Sequence, residues 1–152
     1  MLGTIADVLS HKGTNVFVIK PDATVQAAAD LMATHHIGAL VVAEHGRPLG
    51  LFHERDVLWR IIHERRSLDT LVRDVMTTRA ITVKPATRVG EAMRIMTDER
   101  VRHLPVVERE RLLGLVSIGD LTHWVTQDLE AHVGELVSYI HGQFVVTQTP
   151  AS

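Results

Sequence analysis

Apolar positions in this chain recur with two periods, and the periods alternate. Residues 15–19 and 79–83 are β-rich runs, each closed by Lys-Pro, a dipeptide that ends a strand well. Helical spacing follows: Val25, Ala28, Ala29 and Met32 in one stretch, Val89, Ala92, Met93 and Met96 in the other. Thr24 stands where the first of these helices needs an N-cap. Short apolar strands come next, at 40–43 and 104–107. Polar turns at 44–48 and 108–111 lead to hairpin partners at 49–52 and 113–116. A further helix starts near Asp56 in one half and Asp120 in the other. The predicted order is β-α-β-β-α, twice.

The two halves are copies. Sliding the sequence by 64 lays residues 16–60 over 80–124 without a gap, with 13 of 45 positions identical. Among the matched residues are Lys20 and Pro21 with Lys84 and Pro85, Leu49, Gly50 and Leu51 with Leu113, Gly114 and Leu115, and Asp56 with Asp120. Upstream, Asp7 and Val8 match Asp74 and Val75 at a shift of 67. One such unit cannot cover both faces of a three-stranded sheet, whereas two packed sheet to sheet can. The expected fold class is therefore α+β, with one repeat at 3–66 and another at 67–141.

The last helix of the second copy runs much further than its counterpart. Leu121, Val125, Leu129, Val133, Leu136 and Ile140 form one stripe over about 20 residues. That is more than one small unit can cover, which predicts a homodimer; a helix folded back over its own molecule is the competing arrangement. A flexible polar tail is expected at 142–152.

Composition narrows the class. With 152 residues, no cysteine, 16 basic and 18 acidic side chains, the chain needs no disulfide framework and can have no thiolate metal site. Basic and acidic residues number 7 and 7 through Arg66 and 9 and 11 after it, so neither half offers a general nucleic-acid surface. The longest apolar run, residues 39–43, is far short of the ~20 a membrane span needs. No basic leader precedes the first apolar stretch, and a soluble, cytoplasmic domain is expected.

The chemistry concentrates where each second helix begins. Copy two reads Gly114, Leu115, Val116, Ser117, Ile118, Gly119, Asp120; copy one has His53 in place of the serine and keeps Asp56. A hydroxyl at a strand end and free N–H groups at a helix start attract phosphate oxygens. A carboxylate three residues on can accept both hydroxyls of a ribose. The same Ser-x-x-Asp pattern also serves simply as a helix cap.

Taken together, the duplicated unit and the Gly-h-h-Ser-x-x-Asp closure resemble the CBS domain pair, named after cystathionine β-synthase. The likeness covers about residues 3–141 and is nearest to stand-alone bacterial and plant organellar single-pair proteins. It is carried by strings such as residues 18–25, 36–42, 54–56, 101–106, 116–120 and 136–140. The resemblance implies two clefts that bind an adenine nucleotide (AMP, ADP, ATP or NAD) as a regulatory ligand. It implies no obligatory cofactor, no catalysis, and a partner protein whose activity follows ligand occupancy.

Carried over residue by residue, the resemblance assigns Ser117 to phosphate and Asp120 to ribose. It places Arg102 and His103 as the basic pair against phosphate in that cleft, with Thr14 and Val16 framing the adenine. The other cleft departs from the pattern. It has His53 where a hydroxyl is usual and Gly38 and Ala39 where copy two has the basic pair, so Arg55 or a protonated His53 must serve phosphate beside Asp56. Thr78, Arg79 and Ile81 sit where its crossing strand belongs, and weaker binding is expected there. Ten histidines show no metal-ligand spacing, and no metal site is expected. Trp59 and Trp124 are read as core or interface anchors. No nucleophile elbow or phosphate-cradling glycine loop suggests an enzyme. The alternative to a nucleotide sensor is a ligand-free interaction protein acting through its dimer surface.

Overall fold

The computed structural model describes residues 3–144. Thr4 opens the first helix, α1 (Ile5–Lys12), with a reciprocal cap. Its hydroxyl accepts the Asp7 N–H at 3.4 Å, while the Asp7 carboxylate takes the Thr4 N–H at 2.7 Å. That N–H bond, with the Thr4 hydroxyl donating to the same carboxylate at 2.8 Å, holds the Asp7 carboxyl below its ordinary range. After β1 (Val18–Ile19), Thr24 caps α2 (Val25–His35) by accepting the Ala27 N–H at 3.1 Å. The hairpin β2 (Ala39–Glu44) and β3 (Arg47–His53) follows, and β1 runs parallel to β2 at the edge of the sheet. The next helix, α3, spans 54–63, with Glu54–Asp56 α-helical and Val57–His63 in wider π-helical turns.

Copy two repeats the plan with α4 (Val72–Val75), α5 (Val89–Asp98), β4 (His103–Glu108), β5 (Arg111–Ser117) and α6 (Ile118–Phe144). Its sheet has two strands. The strand expected at 79–83 shrinks to one parallel bridge, Val83 to Val106, and β1 keeps only two of the five expected residues. Both are edge segments with a partner on one side only, where little obliges pairing to extend. α6 reaches Phe144, so the expected tail does not start at 142; residues 145–152 lie outside the described residues.

Packing cuts across the repeats. Ile5, Val8 and Leu9 of α1 are buried with Val89, Leu104, Val116 and Leu121 of copy two. Val72 and Val75 of α4 are buried with Val25, Leu40 and Phe52 of copy one. The backbone bonds obey the same exchange: Ile5 N–H to Thr87 O and Val72 N–H to Ala23 O, both 2.8 Å. Each fully buried aliphatic side chain contributes roughly 1.5–3 kcal/mol, so each copy depends on the other's leading helix. Between the sheets, Val41, Ala43 and Leu51 pack with Val16, Ala80, Leu112 and Leu115.

The repeated glycines mark close approaches. A Cβ on Gly50 would collide with the Thr77 carbonyl oxygen, whose backbone pairs with Leu51. One on Gly114 would come within 2.8 Å of Leu9 Cδ2 on α1. The stripe on α6 is only half covered. Leu121 is buried, but Leu129, Val133, Leu136 and Ile140 are all more than half exposed. The helix does not fold back over its own molecule.

Candidate functional site

Two matching turns enter the helices α3 and α6. At α6 the Asp120 carboxylate accepts the Ser117 N–H at 2.7 Å and the Ser117 hydroxyl at 2.9 Å, and that hydroxyl accepts the Asp120 N–H at 3.1 Å. At α3 the Asp56 carboxylate accepts the His53 N–H at 2.8 Å, and the His53 ring lies 3.4 Å from the same oxygen. Both carboxylates are thus fixed by backbone N–H donors at the mouth of a cavity.

The Asp120 carboxylate has a further partner that the sequence did not suggest. Lys12, at the end of α1, reaches across the repeat boundary to Asp120 Oδ2 at 2.6 Å and to the Leu115 carbonyl oxygen at 2.8 Å. Burial pushes the Asp120 carboxyl up. The Lys12 bond and charge, with the bonds from Ser117, outweigh burial and hold it below the ordinary carboxylate range.

The larger cavity, about 630 Å³, is walled by residues 53–56, Leu58 and Trp59 of copy one, Thr77, and residues 100–103 of copy two, with Gly38 between. The smaller, about 330 Å³, has Leu115, Ser117 and Asp120 of copy two facing residues 36–39 and 15–17 of copy one, with Lys12. Each cavity therefore joins the helix entry of one copy to the strand entry of the other. His36, Gly38 and Ala39 occupy in the smaller the places that Arg100, Arg102 and His103 occupy in the larger.

The structure divides the residues grouped by sequence. Ser117, Asp120 and Val16 share the smaller cavity. Arg102 does not join them; it lines the larger cavity with His53, Arg55 and Asp56, and His103 lines both. Arg102 precedes β4 and lines only the larger cavity, so the pair meets there, and only His103 reaches the Ser117 cleft. The cleft expected to lack the Arg102–His103 pair, and to rely on Arg55 or His53, is the one that both residues line. Thr14 flanks the smaller cavity next to Asn15, and Thr78, Arg79 and Ile81 follow Thr77, outside the lining of the larger. Trp59, read as an anchor, is 56% exposed and lines the larger cavity. Trp124 packs against the copy-two core and meets the His11 ring edge-on at 5.8 Å. Arg100 and Lys12 carried no motif; only their positions in the fold bring them in.

His103 is the wall between the cavities. Its ring centroid lies 5.6 Å from that of His53, and its Nδ1 is buried without a hydrogen-bond partner. Burial, then the neighbouring His53, push its pKa down to about 4; Asp120 opposes this, while Lys12 and Arg102 add to it. Neutral His103 is the state the fold selects.

Known proteins complete the picture. The CBS domain model matches residues 5–63 and 72–127. The chain belongs to the CBS domain family. It is 39% identical over 151 residues to the mitochondrial CBS domain-containing protein CBSX3 of Arabidopsis thaliana, covering 93% of this chain and 73% of the plant protein. The CBS-domain containing protein ATU1752 of Agrobacterium tumefaciens superposes with a TM-score of 0.75 at 36% identity, over 79% of this chain and 97% of that one. The CBS domain protein PAE2072 of Pyrobaculum aerophilum, complexed with AMP, gives 0.70 at 26% identity, over 77% and 88%. No helix among the described residues is long and apolar enough to cross a membrane.

Proposed function

We propose that this chain is a non-catalytic sensor of an adenine nucleotide (AMP, ADP, ATP or NAD) that passes occupancy to a partner protein as a homodimer. One observation carries the reading: two carboxylates, Asp56 and Asp120, each held by backbone donors at equivalent cavity mouths. An ionised carboxylate is an acceptor only, suited to the two hydroxyls of a ribose. The Pyrobaculum protein with AMP supports the class of ligand.

In this reading Asp120 takes the ribose in the smaller cavity, with Val16 and Thr14 beside the base and Ser117 near phosphate. Asp56 takes the ribose in the larger, where Arg55, Arg102 and His53 face phosphate and Thr78, Arg79 and Ile81 stand behind the edge. The exposed half of α6 supplies the dimer surface. Thermal unfolding with millimolar AMP, ADP, ATP or NAD tests the proposal, because a ligand of the folded state alone raises the melting temperature. No shift with any of them favours the interaction-protein reading.

A further inference from the structure

The duplication makes the two cavities comparable position by position, and the comparison is unequal in charge. Three guanidinium groups, Arg55, Arg100 and Arg102, line the larger cavity, and among the described residues none has a carboxylate within 4.0 Å. The one such cation lining the smaller cavity is Lys12, and it is spent on Asp120 at 2.6 Å. The carboxylates of the larger cavity, Glu54 and Asp56, leave it one positive charge in excess, whereas Lys12 and Asp120 cancel. The left-handed backbone at Arg100, φ 54°, is shared by its counterpart His36, φ 51°, so the same turn presents a guanidinium to one cavity and an imidazole to the other. The volumes differ in the same sense, about 630 against 330 Å³.

From this inequality we infer that the cavities divide their ligands by phosphate number. The larger takes a nucleoside with two or more phosphates, held by Arg55, Arg100 and Arg102, and the smaller takes a nucleoside or its monophosphate on Asp120. Guanidinium groups bind phosphate through paired, charge-assisted bonds, and each added phosphate needs its own donors. Only the larger cavity has unspent ones. The inference rests on the nucleotide-sensor reading and assigns a ligand class to each of its sites.

The test is isothermal titration of the full chain with ATP, AMP and adenosine, with Trp59 fluorescence marking the larger cavity in a Trp124→Phe background. ATP is expected to bind at Trp59 about tenfold or more tightly than AMP. The variant Arg100→Gln/Arg102→Gln is expected to erase that preference and leave adenosine binding intact. Asp120→Ala is expected to weaken adenosine binding at the smaller cavity about tenfold to a hundredfold and keep the ATP preference at Trp59. Equal ATP and AMP affinities at Trp59, or a preference that survives the arginine substitutions, overturn the division while the sensor reading stands. Absence of binding by all three ligands overturns both.

Discussion

Lys12 and Asp120, 108 positions apart, meet at 2.6 Å with the ammonium on Oδ2, the oxygen that also accepts the Ser117 N–H and hydroxyl. The last turn of copy one's leading helix is thereby fastened to the helix entry of copy two. The pair is part exposed and contributes modestly to stability, about 0.5–1 kcal/mol. Its larger effect is on the carboxylate: Lys12→Met should raise the Asp120 pKa towards its ordinary value, measurable by carboxyl carbon NMR titration. An unchanged Asp120 titration contradicts the electrostatic role given to Lys12.

Burial of neutral His103 makes stability depend on pH in a defined window. The unfolded chain binds a proton near 6.5 that the folded chain refuses until about 4. Stability from this group is therefore full above 6.5 and falls as pH drops towards 4, by roughly 1–3 kcal/mol. Asp7 and Asp120, both lowered, act in a separate window: their contribution holds above about 3.8 and is lost only below it. Denaturant melts at pH 7 and pH 4.5 should show a steeper loss for the wild type than for His103→Gln. Equal losses remove His103 as the cause.

Gly50 has no room for a side chain. Gly50→Ala should cost roughly 1–3 kcal/mol, because the Thr77 carbonyl paired with Leu51 must move. At the other hairpin, Arg109 and Glu110 both adopt left-handed backbone where copy one uses His45 and Gly46. Glu110→Gly should stabilise by about 0.5–1 kcal/mol, despite losing an exposed contact with Arg47. Opposite signs in thermal melts are the outcome expected from these two substitutions.

The exposed stripe on α6 is expected to hold two copies together. Val133→Asp or Leu136→Asp places a charge where an apolar contact is needed, and should turn a dimer into a monomer by light scattering. A monomeric wild type at tens of micromolar contradicts the dimer outright.

The duplication, the order of elements and the two helix entries were legible because each is local: a period, a turn, a capping pattern. The exchange of α1 and α4 was not. Ile5, Val8 and Leu9 announce an apolar face, but nothing in their spacing says which copy's core receives it. Arg102 shows the same limit. The family resemblance placed it with His103 against phosphate in the Ser117 cleft, whereas the turn before β4 puts it in the cavity of Asp56. Lys12 and Arg100 enter only through contacts between distant segments, which no single stretch of chain records.

The central claim is that Asp56 and Asp120 hold the ribose of an adenine nucleotide. Titrating AMP calorimetrically into the wild type and into Asp56→Ala/Asp120→Ala tests it most directly. The account predicts saturable binding to the wild type and a weakening of about tenfold to a hundredfold at each altered site, as expected for roughly 1.5–3 kcal/mol of charged hydrogen bonding. Circular dichroism of the double variant should show the fold retained. A folded double variant that binds AMP as tightly as the wild type, or a wild type that binds none, contradicts it.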